Sequence, residues 1–271
     1  MTTASTYRLR GGVAGRERLR VLSRVMETMT SGLLERLDIR PGARCLDVGC
    51  GGGDVTLALA RLAGPAGEAV GIDIDEVKLR LARDEAADAG VENVDYRAAS
   101  VDELPQDGEF DLVYARFLLT HLADPGAALR SMIGASRPGA VVAVEDIDYA
   151  VGFCHPPCAA YDAFWDVYPR VAAHAGGDAR IGRRLPVLFA EAGLRGISVH
   201  IEQPAGFDRD VKLLSALTLE NIADAAVAAG LIEAEEIAAH VEELHRFAAR
   251  PDTLLSLPRV VQVWARVPDA G

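Results

Sequence analysis

Leu46-Asp47-Val48-Gly49-Cys50-Gly51-Gly52-Gly53-Asp54 is the stretch that decides the fold. Residues 44–48 read as a short strand that runs straight into a glycine-rich turn. Glycines there let the backbone turn sharply and let a ligand touch the main chain with no side chain in the way. Asp54 is placed to cap the next helix, which continues through Leu57, Leu59 and Leu62. Two nucleotide-binding patterns fit badly. A dinucleotide fingerprint G-x-G-x-x-G begun at Gly49 ends on Asp54, and a P-loop needs a Gly-Lys-Ser/Thr that is absent. What remains is acidic-x-Gly-x-Gly-x-Gly.

Outward from this loop the chain alternates. Residues 69–72 form a second strand ending at Asp73, 76–89 a helix, 94–97 and 110–114 two more strands, and 125–136 a helix stopped by Pro138-Gly139. Residues 140–144 are nearly all apolar, as a strand covered on both faces should be. Five strand–helix alternations predict an α/β fold: a doubly wound, mostly parallel sheet of Rossmann-like type. A helix over 16–37 precedes it, so residues 1–40 are read as an N-terminal helical cap and 41–271 as the main domain. Beyond residue 150 the spacing predicts helices over 158–173 and 184–192, a strand over 196–202, helices over 210–229 and 233–249, and a last strand over 257–267, bent at Pro258. The two late helices constitute an insertion at about 208–250, before the last strand.

Composition narrows the function. The 271 residues hold 28 Lys+Arg against 40 Asp+Glu, a net charge of −12, which disfavours a nucleic-acid partner. No uninterrupted apolar run of about 18 residues predicts a membrane span. The start of the chain has no apolar signal-peptide core, and the four cysteines (Cys45, Cys50, Cys154, Cys158) suggest no disulfide framework. A cytoplasmic protein is expected. Cys154 and Cys158 lack a second Cys/His pair at zinc-like spacing, so no metal site is expected.

The sequence resembles the class I S-adenosylmethionine-dependent methyltransferases. Leu46–Gly53 is similar to their first motif and Gly71-Ile72-Asp73-Ile74 to the second. Asp102-Glu103-Leu104-Pro105, Phe110-Asp111-Leu112-Val113 and Arg137-Pro138-Gly139 are similar to later blocks. The resemblance implies a seven-stranded sheet, S-adenosyl-L-methionine as cofactor and S-adenosyl-L-homocysteine as product. Gly49, Gly51 and Gly53 would let the loop approach the cofactor. Asp73 would accept hydrogen bonds from the ribose hydroxyls, with helix capping as its alternative role, although Asp75 is the better cap. Ile74 would lie against the adenine. Ser100 stands where relatives carry Asp, and its hydroxyl can still accept from the adenine amino group, while Val101 offers its N–H to the ring. Asp47 would steer the ammonium, brace the loop, or both. Arg116 would touch the methionine carboxylate, lend its carbonyl, or form a surface ion pair. Tyr7 would fold over the cofactor.

On the acceptor side, His121 and Asp146 match positions used as a base pair by some sugar O-methyltransferases, and an imidazole near its ordinary pKa suits proton removal. Packing is the competing role for His121. Tyr161, Phe164, Trp165 and Tyr168 form a helical stripe, read as core or as the wall of an acceptor pocket. Leu213, Leu214, Leu217 and Ile222, with Ile237, Val241 and Leu244, give the insertion two apolar faces. These must cover either the core domain or a second subunit in a homodimer. The expectation is an enzyme of natural-product metabolism that methylates a small-molecule acceptor beneath this insertion. A non-catalytic S-adenosylmethionine-binding scaffold is the alternative.

Overall fold

The computed structural model describes residues 12–269. The elements run α1 (Gly12–Arg36), β1 (Arg44–Val48), α2 (Asp54–Ala63), β2 (Glu68–Asp73), α3 (Glu76–Asp88), β3 (Val94–Ala98), β4 (Phe110–Arg116), α4 (Pro125–Ala135) and β5 (Ser136–Asp148). Then follow β6 (Cys154–His155), α5 (Ala159–His174), α6 (Leu185–Glu191), β7 (Arg195–Glu202), β8 (Ala205–Gly206), α7 (Arg209–Ala228), α8 (Ala234–Ala249), β9 (Leu254–Ser256) and β10 (Arg259–Arg266). The seven-stranded sheet has the order β3-β2-β1-β4-β5-β10-β7, and β10 alone runs against its neighbours. The α/β doubly wound reading holds, and β1, with parallel neighbours on both sides, is the central strand of the first half.

Alternation along the strands builds two cores. Val113 and Ala115 of β4 face Leu129 and Met132 of α4 and Leu185 and Phe189 of α6. Leu112 and Tyr114 face Leu33 and Leu37 of α1 and Leu59 of α2. A third core gathers the middle of α1 with α5, α7 and α8. Met26, Phe164, Tyr168, Leu219, Ile222, Ile237 and Leu244 are buried in it. The apolar faces of the insertion therefore close against α1 and α5 of the same chain. Lys212, buried on α7, donates to the Arg250 carbonyl (2.5 Å) and the Thr253 hydroxyl (3.0 Å), tying α7 to the end of α8.

Several boundaries differ from the sequence reading. Helix α1 begins earlier, at Gly12. β5 extends back through Arg137-Pro138-Gly139, which the sequence reading took as a stop; Val267 N–H donating to the Ala140 carbonyl and Gly139 N–H to the Val267 carbonyl hold that end in register. The expected strand over 257–267 starts only after Leu257-Pro258, since proline supplies no ladder N–H. What remains of it is β10, and β9, a strand not foreseen just before Leu257, joins β6 and β8 in a small separate sheet. The helix expected over 184–192 starts as a 3₁₀ turn at Ile181–Arg184 before α6.

Candidate active site

The glycine loop is bent by left-handed residues: Gly49, Gly51 and Gly53 have φ of 74°, 54° and 80°. Gly49 and Cys50 both donate their N–H to the Ile72 carbonyl (2.8 and 2.9 Å), which pins the loop to β2. A Cβ on Gly51 would meet nothing nearer than Leu19 at 3.9 Å, so the space in front of the loop is open. At Gly53 the reverse holds: a Cβ would overlap the Tyr96 hydroxyl and approach Ala82 to 2.8 Å. Gly53→Ala, strained in both φ and space, is expected to lower stability by about 1–3 kcal/mol. Its urea midpoint should fall at an unchanged slope; an unaltered midpoint would show that the loop relaxes freely.

Asp73 ends β2 with both oxygens engaged. Oδ2 accepts from the Gly51 N–H (3.0 Å) and Oδ1 from the Asp75 N–H (2.9 Å), and Lys78 Nζ lies 3.9 Å away. Each oxygen keeps a second lone pair. The cap of α3 is Asp75, whose carboxylate accepts from the Val77 N–H (2.9 Å), as the sequence suggests. Asp47 is buried and accepts from the Thr56 hydroxyl (2.6 Å). Burial pushes its carboxyl up to about 7, against the pull of Thr56 and the Arg116 cation. Of the roles open to Arg116, the structure shows an ion pair, part-buried rather than on the surface: Nη2 is 2.6 Å from Asp54 and Nη1 donates to Thr30 (3.2 Å). Gly53 takes the cap position of α2, which frees Asp54 for this pairing. Ser100 is the cap of the 3₁₀ turn Val101–Glu103: its hydroxyl accepts from the Asp102 N–H (3.4 Å) and its N–H donates to Glu103 (2.8 Å). Ile74 is 78% exposed, unusual for a bare isoleucine. Tyr7 lies outside the described residues.

All the described members of this set line one cavity of about 750 Å³, except Gly53, which acts behind the loop. The cavity continues past the ends of β4 and β5 to Tyr149, Phe164 and Tyr168, with Leu22 and Met26 of α1 and Leu214 and Thr218 of α7. The aromatic stripe is thus both core and wall: Phe164 and Tyr168 line the cavity, while Tyr161 turns away and donates to the Ser256 carbonyl (2.7 Å).

His121 lines the junction of the two halves. Burial, and after it the Arg18 and Lys78 cations, hold its pKa down at about 4. Asp146 is not among the lining residues. Its oxygens accept from the backbone N–H of Thr120 (3.0 Å) and Ile147 (2.8 Å), and burial raises its carboxyl to about 7. Phe117, between β4 and this turn, has φ of 54°, a strained value for an aromatic residue. Of the two adjacent acids at the end of β5, the sequence reading gave a role to Asp146 and none to Glu145. It is fully buried, accepts from the hydroxyls of Tyr114 and Thr30 (3.0 Å to Thr30) and from Gln262 Nε2 (2.6 Å), and so joins α1 to the sheet behind Arg116. An acid in an otherwise apolar strand was its only signal. Among the described residues no cluster of three His, Cys, Asp or Glu could hold a metal, and no helix is long and apolar enough to cross a membrane.

A doubly wound sheet with a reversed last-but-one strand, a glycine loop after β1 and an acid at the end of β2 defines a nucleoside-binding α/β domain of the methyltransferase type. Residues 39–170 match the family model described as a methyltransferase domain. The ubiquinone/menaquinone biosynthesis C-methyltransferase of Vibrio parahaemolyticus is 34% identical over 173 residues, 59% of this chain. The chain spans 66% of that relative's length. Two solved structures share the fold. The [4+2]-cyclase SpnF has a TM-score of 0.56 at 20% identity, covering 90% of this chain and 81% of its own. A Haemonchus contortus phosphoethanolamine N-methyltransferase, in complex with phosphomonomethylethanolamine and S-adenosylhomocysteine, has a TM-score of 0.59 at 15% identity, covering 92% and 56%.

Proposed function

We propose that the chain transfers a methyl group from S-adenosylmethionine to a small, largely apolar organic acceptor in the cytoplasm. One observation carries this: a single cavity joins an open glycine loop, flanked by carboxylates, to an aromatic wall. The residues fit the cofactor. The bare backbone at Gly49 and Gly51, the spare lone pairs of Asp73, the exposed Ile74 and the Val101 N–H would hold the nucleoside. Asp47 and Arg116 would hold its amino-acid end, and a cation beside Asp47 would restore that carboxyl to its ionised form. Ser100, committed as a cap, would add a weaker contact than the Asp of relatives. When bound, the cofactor supplies an electrophilic methyl on a sulfonium. The curated relatives are named for C-methylation in quinone biosynthesis, which supports an organic small molecule as acceptor, and the net charge of −12 supports no nucleic acid.

His121 is the side chain placed to hydrogen-bond the acceptor's reacting group. Asp146 is a positioning residue, holding the Thr120 N–H and so the turn that carries His121. S-adenosylhomocysteine should raise the melting temperature by mass action and NADH should not; the reverse ranking sinks the assignment. His121 also makes a pH prediction. Its folded pKa, about 4, lies below the ordinary 6.5, so its stability contribution is present above pH 6.5 and lost as pH falls towards 4. Asp47 and Asp146, raised to about 7, act oppositely: their contribution is lost as pH rises from about 4 to 7. The difference between wild type and His121→Gln isolates the first effect. The wild type should lose stability relative to the variant between pH 6.5 and 4 in urea titrations. A constant difference would mean that the imidazole titrates normally.

A further inference from the structure

Resting on the methyltransferase reading, we propose that the acceptor binds as a flat conjugated oxyanion, laid against the α5 aromatic wall with its negative oxygen towards Arg18.

The shape of the site is the first argument. Tyr149 and Tyr168 stack with ring centroids 4.5 Å apart and planes 11° from parallel. Phe164 meets Tyr149 edge-on at 5.7 Å, and Trp165 packs at 5.0 Å from the same ring. Rings this interlocked hold their positions, and with Leu22, Met26 and Leu214 opposite they present fixed apolar surfaces suited to a planar group.

Charge is the second. The acids that line the cavity, Asp47, Asp54, Asp73, Asp75 and Glu76, all come from the glycine-loop half. Of the lining cations, Arg116 is paired with Asp54 and Lys78 stands 3.9 Å from Asp73. Arg18 is held differently: Nε donates to a neutral hydroxyl, Thr218 of α7, at 3.3 Å. The acceptor half therefore has a cation, tied to α7, and no acid among its lining residues. In apolar surroundings an anionic oxygen is the partner such a guanidinium favours.

His121 supplies the third. Burial is the main cause of its low pKa, and the Arg18 and Lys78 cations add to it; those same charges favour ionisation of an acidic acceptor placed beside them. An acceptor that is already ionised leaves no O–H proton to remove. A neutral imidazole can donate its N–H to the oxyanion instead of serving as a base. Phenolates, enolates and aryl carboxylates share this chemistry.

The test uses the full chain saturated with S-adenosylhomocysteine and three probes: 4-nitrophenol, whose anion absorbs in the visible, benzoate, and the neutral 4-nitroanisole. Bound 4-nitrophenol should ionise at a pH about one unit below its free value, and 4-nitroanisole should bind about tenfold more weakly. Displacement of nitrophenolate by benzoate supports a general oxyanion site; failure to displace it supports one for ionised hydroxyls. Arg18→Met should abolish the ionisation shift. Thr218→Val, which releases Arg18 without removing charge, should reduce it and serves as the second variant if Arg18→Met folds poorly. Equal binding of the anisole, an unshifted nitrophenol, or a shift that survives both substitutions overturns the proposal. Calorimetry of S-adenosylhomocysteine on the same samples separates the two readings. If it binds while the probes show no anion preference, the oxyanion proposal alone fails. If it does not bind, the methyltransferase reading fails.

Discussion

Asp73→Ala is expected to raise the dissociation constant for S-adenosylhomocysteine about 10- to 100-fold, roughly 1.5–3 kcal/mol, the scale of hydrogen bonds to a charged group. Two losses coincide. The proposed acceptor for the ribose hydroxyls disappears, and so does the carboxylate that holds the N–H of Gly51 and of Asp75. The second loss loosens the loop before any ligand arrives, so binding must also reorder it. Asp73→Asn should fall between the two: the amide keeps one acceptor but turns an NH2 towards one of the two backbone donors. Titration calorimetry reads the difference. An unchanged constant in Asp73→Ala would reduce Asp73 to a brace for the loop.

The largest stability effect is expected at Glu145. Its carboxylate takes donors from Tyr114, Thr30 and Gln262 in a fully buried setting, and Arg116 reaches the same Thr30. Glu145→Ala strands three buried donors at once, and about 3–5 kcal/mol should be lost. Glu145→Gln should cost far less. Its amide can keep the Tyr114 and Thr30 bonds on one oxygen, and Gln262, whose buried Oε1 lacks a partner, can turn to accept from the new NH2. Equal destabilisation by both would show that the negative charge, not the bonding pattern, matters. Because Thr30 sits on α1, Glu145→Ala should also weaken S-adenosylhomocysteine binding through Arg116.

The sheet was legible because its signals are local. Glycines at 49, 51 and 53, the acid ending β2 and the apolar run of β5 each announce an element within a few residues. The two-residue strands β6 and β8 were not, because pairs such as Cys154-His155 carry no periodicity and exist only by pairing with β9, about 100 residues from β6 and about 50 from β8. Among the candidate site residues, Asp73, Ile74, Gly49 and Gly51 line the cavity, since backbone geometry alone positions them. Arg116 and Asp146 were harder. Their surroundings depend on Asp54, Thr30 and Thr120, and nothing in spacing reveals which of several nearby partners a buried charge selects. His121 lines the cavity, but its low pKa comes first from burial and then from Arg18 and Lys78, which no local spacing reveals.

Because α7 and α8 are buried with α1 and α5 in one core, the acceptor wall cannot be exchanged as a cassette. Excising residues 208–250 would expose the apolar sides of α1 and α5, so unfolding should precede any loss of specificity. Leu22, Phe164 and Leu214 each face both the cavity and that core. A chain drifting towards a new acceptor would have to change residues that also keep it folded, and each step would draw on its stability reserve. Broadened substrate range should therefore emerge first in variants already stabilised elsewhere, for instance on exposed helix surfaces, and directed-evolution campaigns begun from the unmodified chain should stall early.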